Sequence, residues 1–331
     1  MKFVVIGLGS MGKRRIRCLK KLGEEDIIGF DLRQDRCDEV SEKYGVKTLS
    51  NWKETNEIAA DAWIISTPPD LHLHYALMAV KRNISFFTEA NVYDEQMPEL
   101  IDKLECNKIV GVPSCTMRYF EGPRRIKEII NAGDIGKPLN FTYHWGQYLP
   151  DWHPWESYKD FYVSKRETGA CREIVPFVLE WLIDIFGSIE KISCLKDKLS
   201  DLDADIDDIY QLMFKFSNGM MGHLLVDVIA RPAIHNIRIN GTQGTVEWNY
   251  HQDELRVFKV SDNDWTNIIM NAGHKEKGYL YPENPYIDEI SDFVGEMKGK
   301  SSYPFTFKDE AYAIDMLVRA EKSAIDSSKI L

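Results

Sequence analysis

Cysteine, proline and glycine are all scarce here: 6, 13 and 21 in a chain of 331 residues. The cysteines, at 18, 37, 106, 115, 171 and 194, make no C-x-x-C pair and have no His or Cys partner at metal-ligand spacing. That excludes a disulfide framework and a zinc site, and leaves six reduced thiols. So little glycine and proline excludes a fibrous or low-complexity chain. Basic residues are outnumbered, 41 against 52, for a net charge of −11. Nucleic acid and anionic membrane are therefore not the expected partners. No run approaches the roughly 18 apolar residues of a bilayer span. Residues 1–7 enter a strand before a signal-peptide core can form, so a cytoplasmic location is expected. No G-x-S-x-G elbow occurs, which removes the serine-hydrolase reading.

What is present is patterned. A length of 331 residues predicts two domains. Up to about residue 115, short apolar runs at 3–6, 27–30, 62–66, 84–88 and 108–112 alternate with helical periods at 11–22, 33–44, 71–82 and 95–105. This is the pattern of βαβ units and predicts a doubly wound parallel sheet of the Rossmann type. A helix over 120–132 follows. Two-residue alternation then predicts a largely antiparallel open sheet from strands at 139–145, 189–195, 209–216, 220–228, 236–240, 244–250 and 255–260. Helices at 285–298 and 308–327 close the chain. The expected division is an α/β domain over 1–118 and an α+β domain over 119–331, with the last helix packing back on the first domain.

Gly7-Leu8-Gly9-Ser10-Met11-Gly12 is G-x-G-x-x-G between a strand and a helix. Glycines there permit a tight turn and let backbone amides approach a pyrophosphate at the helix N-terminus. Asp31 follows Gly12 by 19 residues, at the end of the second strand, where a carboxylate accepts from an adenosine ribose. This favours NAD, while Arg33 and Arg36 leave NADP as the alternative. Thr67, Pro68 and His72 follow the third apolar run and Glu89 and Ala90 the fourth, at strand ends where such sheets hold ligands.

The order of these features resembles the Gfo/Idh/MocA oxidoreductases. The resemblance runs through Gly7-Leu8-Gly9-Ser10-Met11-Gly12, Thr67-Pro68-Pro69-Asp70-Leu71-His72, the stretch ending Asp134-Ile135-Gly136-Lys137-Pro138, and the segments 168–187 and 304–327. It implies NAD(P)-dependent oxidation of a hydroxyl, or reduction of the ketone, on a sugar, sugar derivative or cyclitol. It also implies a homodimer or homotetramer formed through the second sheet. Two departures stand out. Most catalytic members carry Glu-Lys-Pro after the fourth run, and here Ala90 replaces the lysine. An active-site histidine lies three residues before an acid in the family; aligned back from Gly187, Phe177 takes its place and Glu180 that of the acid.

Pro176 is expected in the first turn of the 177–186 helix, leaving Glu173 in the segment that approaches it. Substitutes for the missing proton-handling groups are sought in the aromatic loop 146–172: His153, whose imidazole titrates near neutrality, Lys165, and Glu173 at the family's substrate-contacting acid position. Arg118, Tyr148, Trp152, Arg172 and Phe177 are the candidate substrate contacts. If Arg118, Lys165, Arg166 and Arg172 converge, the substrate is anionic, such as an acidic or nucleotide-linked sugar. The competing expectation, resting on Ala90 and Phe177, is a catalytically silent dinucleotide-binding regulator.

Overall fold

The computed structural model describes residues 1–93, 95–152, 157–271, 273–277 and 279–327. The chain divides into two compact units, Met1–Tyr119 with Gly273–Ala311 and Phe120–Ala272 with Tyr312–Leu331.

The first unit carries β1 (Lys2–Ile6), α1 (Ser10–Lys21), β2 (Asp26–Phe30), α2 (Gln34–Tyr44), β3 (Lys47–Leu49), α3 (Trp52–Asn56), β4 (Ala62–Ile65), α4 (Pro69–Lys81), β5 (Ser85–Thr88), α5 (Met97–Glu105) and β6 (Gly111–Pro113). The strands lie in the order β3-β2-β1-β4-β5-β6, every pair parallel. Val4, Val5, Ile64, Ile65, Phe86 and Phe87 are fully buried, as a sheet covered on both faces requires. The order reverses between β1 and β4, the switch point outside which such folds bind ligands. Hydrogen bonds from Gly7 N–H to the Phe30 carbonyl, Ser66 N–H to Ile6, Glu89 N–H to Ile65 and Ser114 N–H to Thr88 carry the ladder past the strand ends. The four loops that leave those ends are therefore fixed side by side.

The second unit carries α6 (Glu121–Asn131), β7 (Pro138–Gly146), α7 (Ala170–Phe186), β8 (Ile189–Asp197), β9 (Ile209–Phe216), β10 (Met221–Asp227), β11 (Ile234–Gly241), β12 (Gly244–Asn249), β13 (Glu254–Lys259) and β14 (Asp264–Ile269). The chain then returns to the first unit with α8 (Asn284–Met297), and α9 (Phe307–Ser327) closes it. The sheet order is β14-β13-β12-β11-β7-β10-β9-β8, antiparallel except for β7 beside β10. One face is packed: Phe141 stacks on Phe186 at 5.5 Å and Tyr143 meets Trp181 at 5.5 Å, both partners coming from α7. The other face leaves Leu195, Met213 and Met221 more than half exposed.

The fold class is as expected, with local corrections. The last parallel strand is only Gly111–Pro113 rather than 108–112. Proline closes it without loss because β6 lies at the sheet edge, where an N–H is dispensable. Residues 47–49 and 52–56 were not expected to be ordered elements; both are too short to show a period. β14 was likewise unforeseen; it lies at the sheet edge with most of its residues exposed. The helix expected to carry Pro176 in its first turn begins at Ala170 and holds the proline in its interior. Pro176 has no N–H to donate along the helix, but burial of Ile174, Val175, Val178, Leu179 and Leu182 holds the helix through this point. Glu173 consequently lies in its first turn.

Candidate active site

The glycine-rich loop is shaped by its neighbours. Gly7 has φ +91°, and a Cβ there would stand 2.5 Å from the Ser66 carbonyl oxygen; a Cβ on Gly12 would stand 1.8 Å from that of Gly7. Both glycines are demanded by the fold itself. Gly9 is different, since its Cβ would meet only the tip of Arg36, at 3.6 Å. The bare backbone there is useful to something that approaches from outside the chain. α1 begins at Ser10 with no side-chain cap and no acid in its first turn. The N–H groups of Ser10, Met11 and Gly12 consequently face outward at the positive end of the helix.

Asp31 is fastened by backbone donors, Leu8 N–H at 2.8 Å and Arg33 N–H at 2.9 Å, with Arg36 Nη1 at 3.5 Å. A carboxylate offers about four acceptor sites, so Asp31 retains one for a hydroxyl. The Arg33 side chain is turned to Asp35. At the end of β4, Thr67 Oγ1 is buried without a partner. A bare glycine backbone, an uncapped helix start, an oriented carboxylate and an orphaned hydroxyl fit a dinucleotide. Gly7, Gly9, Ser10, Met11, Gly12 and Asp31 would hold its pyrophosphate and ribose.

Two neighbours expected to touch cofactor are engaged elsewhere. His72 is buried, and its Nε2–H donates to the Thr67 carbonyl at 2.7 Å; burial lowers its pKa and keeps the ring neutral. Glu89 receives Arg15 on both oxygens, at 2.8 and 2.7 Å, and Ser66 Oγ at 3.0 Å. The same guanidinium reaches Glu289 at 2.7 Å, and Arg15 and Glu289 are both completely buried. Ala90 places a methyl after Glu89, and Asn91 donates from backbone and side chain to Glu310.

In the second unit Tyr162 donates to Glu173 Oε1 at 2.9 Å. Burial raises the Glu173 carboxyl to about 7, against the opposing pull of that hydrogen bond. Phe177, one helical turn on, packs against Trp145 at 5.9 Å, and Glu180 is buried. His235 stacks on the other side of this cluster, 4.2 Å from Trp145, with Nε2 2.6 Å from Tyr143 Oη; burial holds it neutral.

Several of the basic side chains considered above have partners within their own unit. Arg166 pairs with Asp205 and Asp207, and Arg172 with Glu321 and the Glu167 carbonyl. Arg118, in the first unit, donates to the Pro304 carbonyl and lies over Phe305. Lys165 is exposed. Acidic partners already claim two of the four cations. The Tyr148 ring lies under Arg231 at 3.8 Å, and Trp152 Nε1 donates to the Gln147 carbonyl at 3.2 Å. His153 and Trp155 lie outside the described residues. Sequence reading missed the pairing of Tyr162 with Glu173 and the buried acids Glu289 and Glu310. A signal for the first acid was present: Glu289 interrupts the apolar stripe of Tyr286, Ile290 and Phe293 on α8.

Residues 1–92 match a model of the oxidoreductase family's NAD-binding Rossmann fold, and residues 124–247 match the GFO/IDH/MocA C-terminal domain. Inositol 2-dehydrogenase 3 of Saccharopolyspora erythraea is 28% identical over 148 residues, which cover 41% of this chain and 42% of that protein. Oxidoreductase P35 of Formosa agariphila is 22% identical over 306 residues, 84% of each chain. The matches to the first curated relatives span only 38% and 42% of their lengths. A levoglucosan dehydrogenase solved with NADH superposes with a TM-score of 0.84 at 20% identity, covering 98% of this chain and 97% of the other. With both halves matched and the glycine loop, Asp31 and the two sheets in place, this chain belongs to the Gfo/Idh/MocA family of oxidoreductases and carries its NAD-binding Rossmann fold.

Proposed function

We propose that this protein is an NAD-dependent dehydrogenase or reductase acting at a hydroxyl or ketone of a neutral sugar, sugar derivative or cyclitol, with Glu173 as the group that takes and returns the hydroxyl proton. NAD supplies the hydride chemistry when bound; the chain must orient the carbon and move one proton. The observation that carries this reading is the Glu173 carboxyl, raised to about 7 and held by the Tyr162 hydroxyl. A base poised near the working pH is what proton transfer requires. The relatives lend the substrate class, one being named for inositol and a structural neighbour for levoglucosan. Phe177, with Trp145 behind it, offers a flat apolar surface suited to a sugar face. Arg118, Tyr148, Trp152 and Arg172 have less claim, since each is engaged within the protein.

Ala90 and Phe177 favour a second reading, a dinucleotide-binding regulator that does not turn over. A panel of sugars and cyclitols, followed by NADH absorbance, separates the two. Turnover that collapses in Glu173→Gln supports the enzyme. Tight NAD binding with no turnover on any member supports the regulator. The open face bearing Leu195, Met213 and Met221 is assigned to a second copy of the chain, because soluble proteins rarely leave such a patch bare. No helix among the described residues is long and apolar enough to cross a membrane; a cytoplasmic location is part of the proposal.

A further inference from the structure

Two buried polar atoms beyond β4 and β5 have no partner, Nδ1 of His72 and Oδ1 of Asn91. The Asn91 side chain lies near enough to act on the His72 ring, and with its oxygen on that side it favours the charged form. The His72 Nε2 must donate to the Thr67 carbonyl, because a carbonyl only accepts, so Nδ1 of the neutral ring is a bare acceptor. The amide nitrogen that would satisfy it is turned instead to Glu310. That acid, 4% exposed, receives the Asn91 backbone N–H on Oε1 at 2.8 Å and Nδ2 on Oε2 at 2.7 Å. No basic side chain pairs with it among the described residues, and an uncompensated buried carboxylate is costly. Burial raises its pKa to about 8.

We propose that Glu310 carries a proton at neutral pH and that the Asn91 amide is then turned half a rotation about Cβ–Cγ. Glu310 Oε2–H donates to Asn91 Oδ1, and Asn91 Nδ2 donates to His72 Nδ1. One rotation supplies both missing partners, and the amide's two ends are close enough in shape to exchange places. The result is an uncharged chain from the Thr67 carbonyl through His72 and Asn91 to Glu310. It ties the end of β4 to the turn at 89–91 and to α9, so Asn91 and Glu310 are positioning residues for that turn. Proline at position 91 would have no N–H for Oε1. Asp70, Glu89, the Thr67 carbonyl and the Asn91 side chain as it is placed all favour a charged His72 ring; burial outweighs them. The inference holds whether or not the protein turns over.

The test uses the full chain without cofactor. In wild type at about pH 6 the infrared spectrum should contain a buried carboxylic-acid band that Glu310→Gln lacks, and that band should titrate away through pH 8. Nitrogen-15 spectra should show His72 protonated on Nε2 alone, with Nδ1 accepting. Between about pH 5 and 8, wild type should lose thermal stability relative to Glu310→Gln, because the folded state then holds a proton that the unfolded state has released. A carboxylate signature for Glu310 at about pH 6, or a doubly protonated His72, overturns the proposal. Should the variant fail to fold, the wild-type nitrogen spectrum decides by itself.

Discussion

Arg15 grips Glu89 at two points, Nε 2.8 Å from Oε1 and Nη2 2.7 Å from Oε2. Arg15 lies on α1 just beyond the glycine loop, and Glu89 opens the turn after β5. Through Nη1 the same side chain reaches Glu289 on α8, which also accepts from Ser114, Thr116, Tyr303 and the Cys115 N–H. One guanidinium thus joins a helix, a strand end and a segment some 270 residues away along the chain. Glu89 is a fastening of the first unit rather than a free acceptor.

Removing that guanidinium leaves the buried Glu289 and the partly buried Glu89 without their cation. Arg15→Met should cost about 3–5 kcal/mol of unfolding free energy, in the range for breaking a buried pair from one side. Glu89→Gln should cost less, because Glu89 is 14% exposed and its amide can still meet Ser66. Urea denaturation measures both, and a loss below about 1 kcal/mol for Arg15→Met would mean that the network is incidental.

The glycines of the loop should separate by function. Gly12→Ala drives a methyl into the Gly7 carbonyl and should damage folding. Gly9→Ala meets nothing closer than 3.6 Å and should change stability by less than about 0.5 kcal/mol. NAD affinity, measured by calorimetry, should nonetheless fall at least tenfold in Gly9→Ala. Unaltered affinity would remove the loop from the dinucleotide site.

Asp31→Ala should weaken NAD about tenfold or more, a charged hydrogen bond contributing roughly 1.5–3 kcal/mol. NADP should lose less or gain, since the repelling charge is gone and Arg36 is released beside the vacated position. Titration with the two cofactors in parallel reads the ratio. A ratio unmoved by the substitution places the ribose elsewhere.

Glu173 should set an ascending limb near pH 7 in kcat/KM for alcohol oxidation, where the carboxylate is the base. The limb should vanish with most of the activity in Glu173→Gln. Tyr162→Phe should move it upward, because the hydroxyl's hydrogen bond favours the carboxylate. Stability carries the opposite sign. With a folded pKa raised from 4.5 to about 7, this group's contribution is full below the unfolded value and is lost as pH rises through 7. Thermal melts of wild type against Glu173→Gln over that window check the sign, and a difference growing in the other direction rejects the assignment.

Much of the architecture was legible because the relevant forces are local or periodic. Gly7, Gly9 and Gly12 stand at a strand-to-helix junction that sequence spacing reveals, and Asp31 at a strand end. The strands of the second unit alternate because one face packs on α7 and the other does not. β3 carries too few residues for a period to emerge, and β14, an edge strand, leaves most of its residues exposed. The start of α7 was misplaced because the backbone rule for Pro176 is local, while burial along the helix is not.

The sequence alone therefore determined the order of elements, the glycine-rich loop and the acid after β2, since each is read from neighbours along the chain; that Ala90 and Phe177 stand where the family carries lysine and histidine is only what the resemblance implies. Only the tertiary structure decided that Glu89 belongs to Arg15, that Glu173 meets Tyr162, that Arg166 and Arg172 are claimed by acids, and that Asn91 is bound to Glu310. The physical reason is common to all four. The protonation and freedom of a charged side chain are set by what faces it across space and by how much water is excluded, and neither is a function of spacing in the sequence.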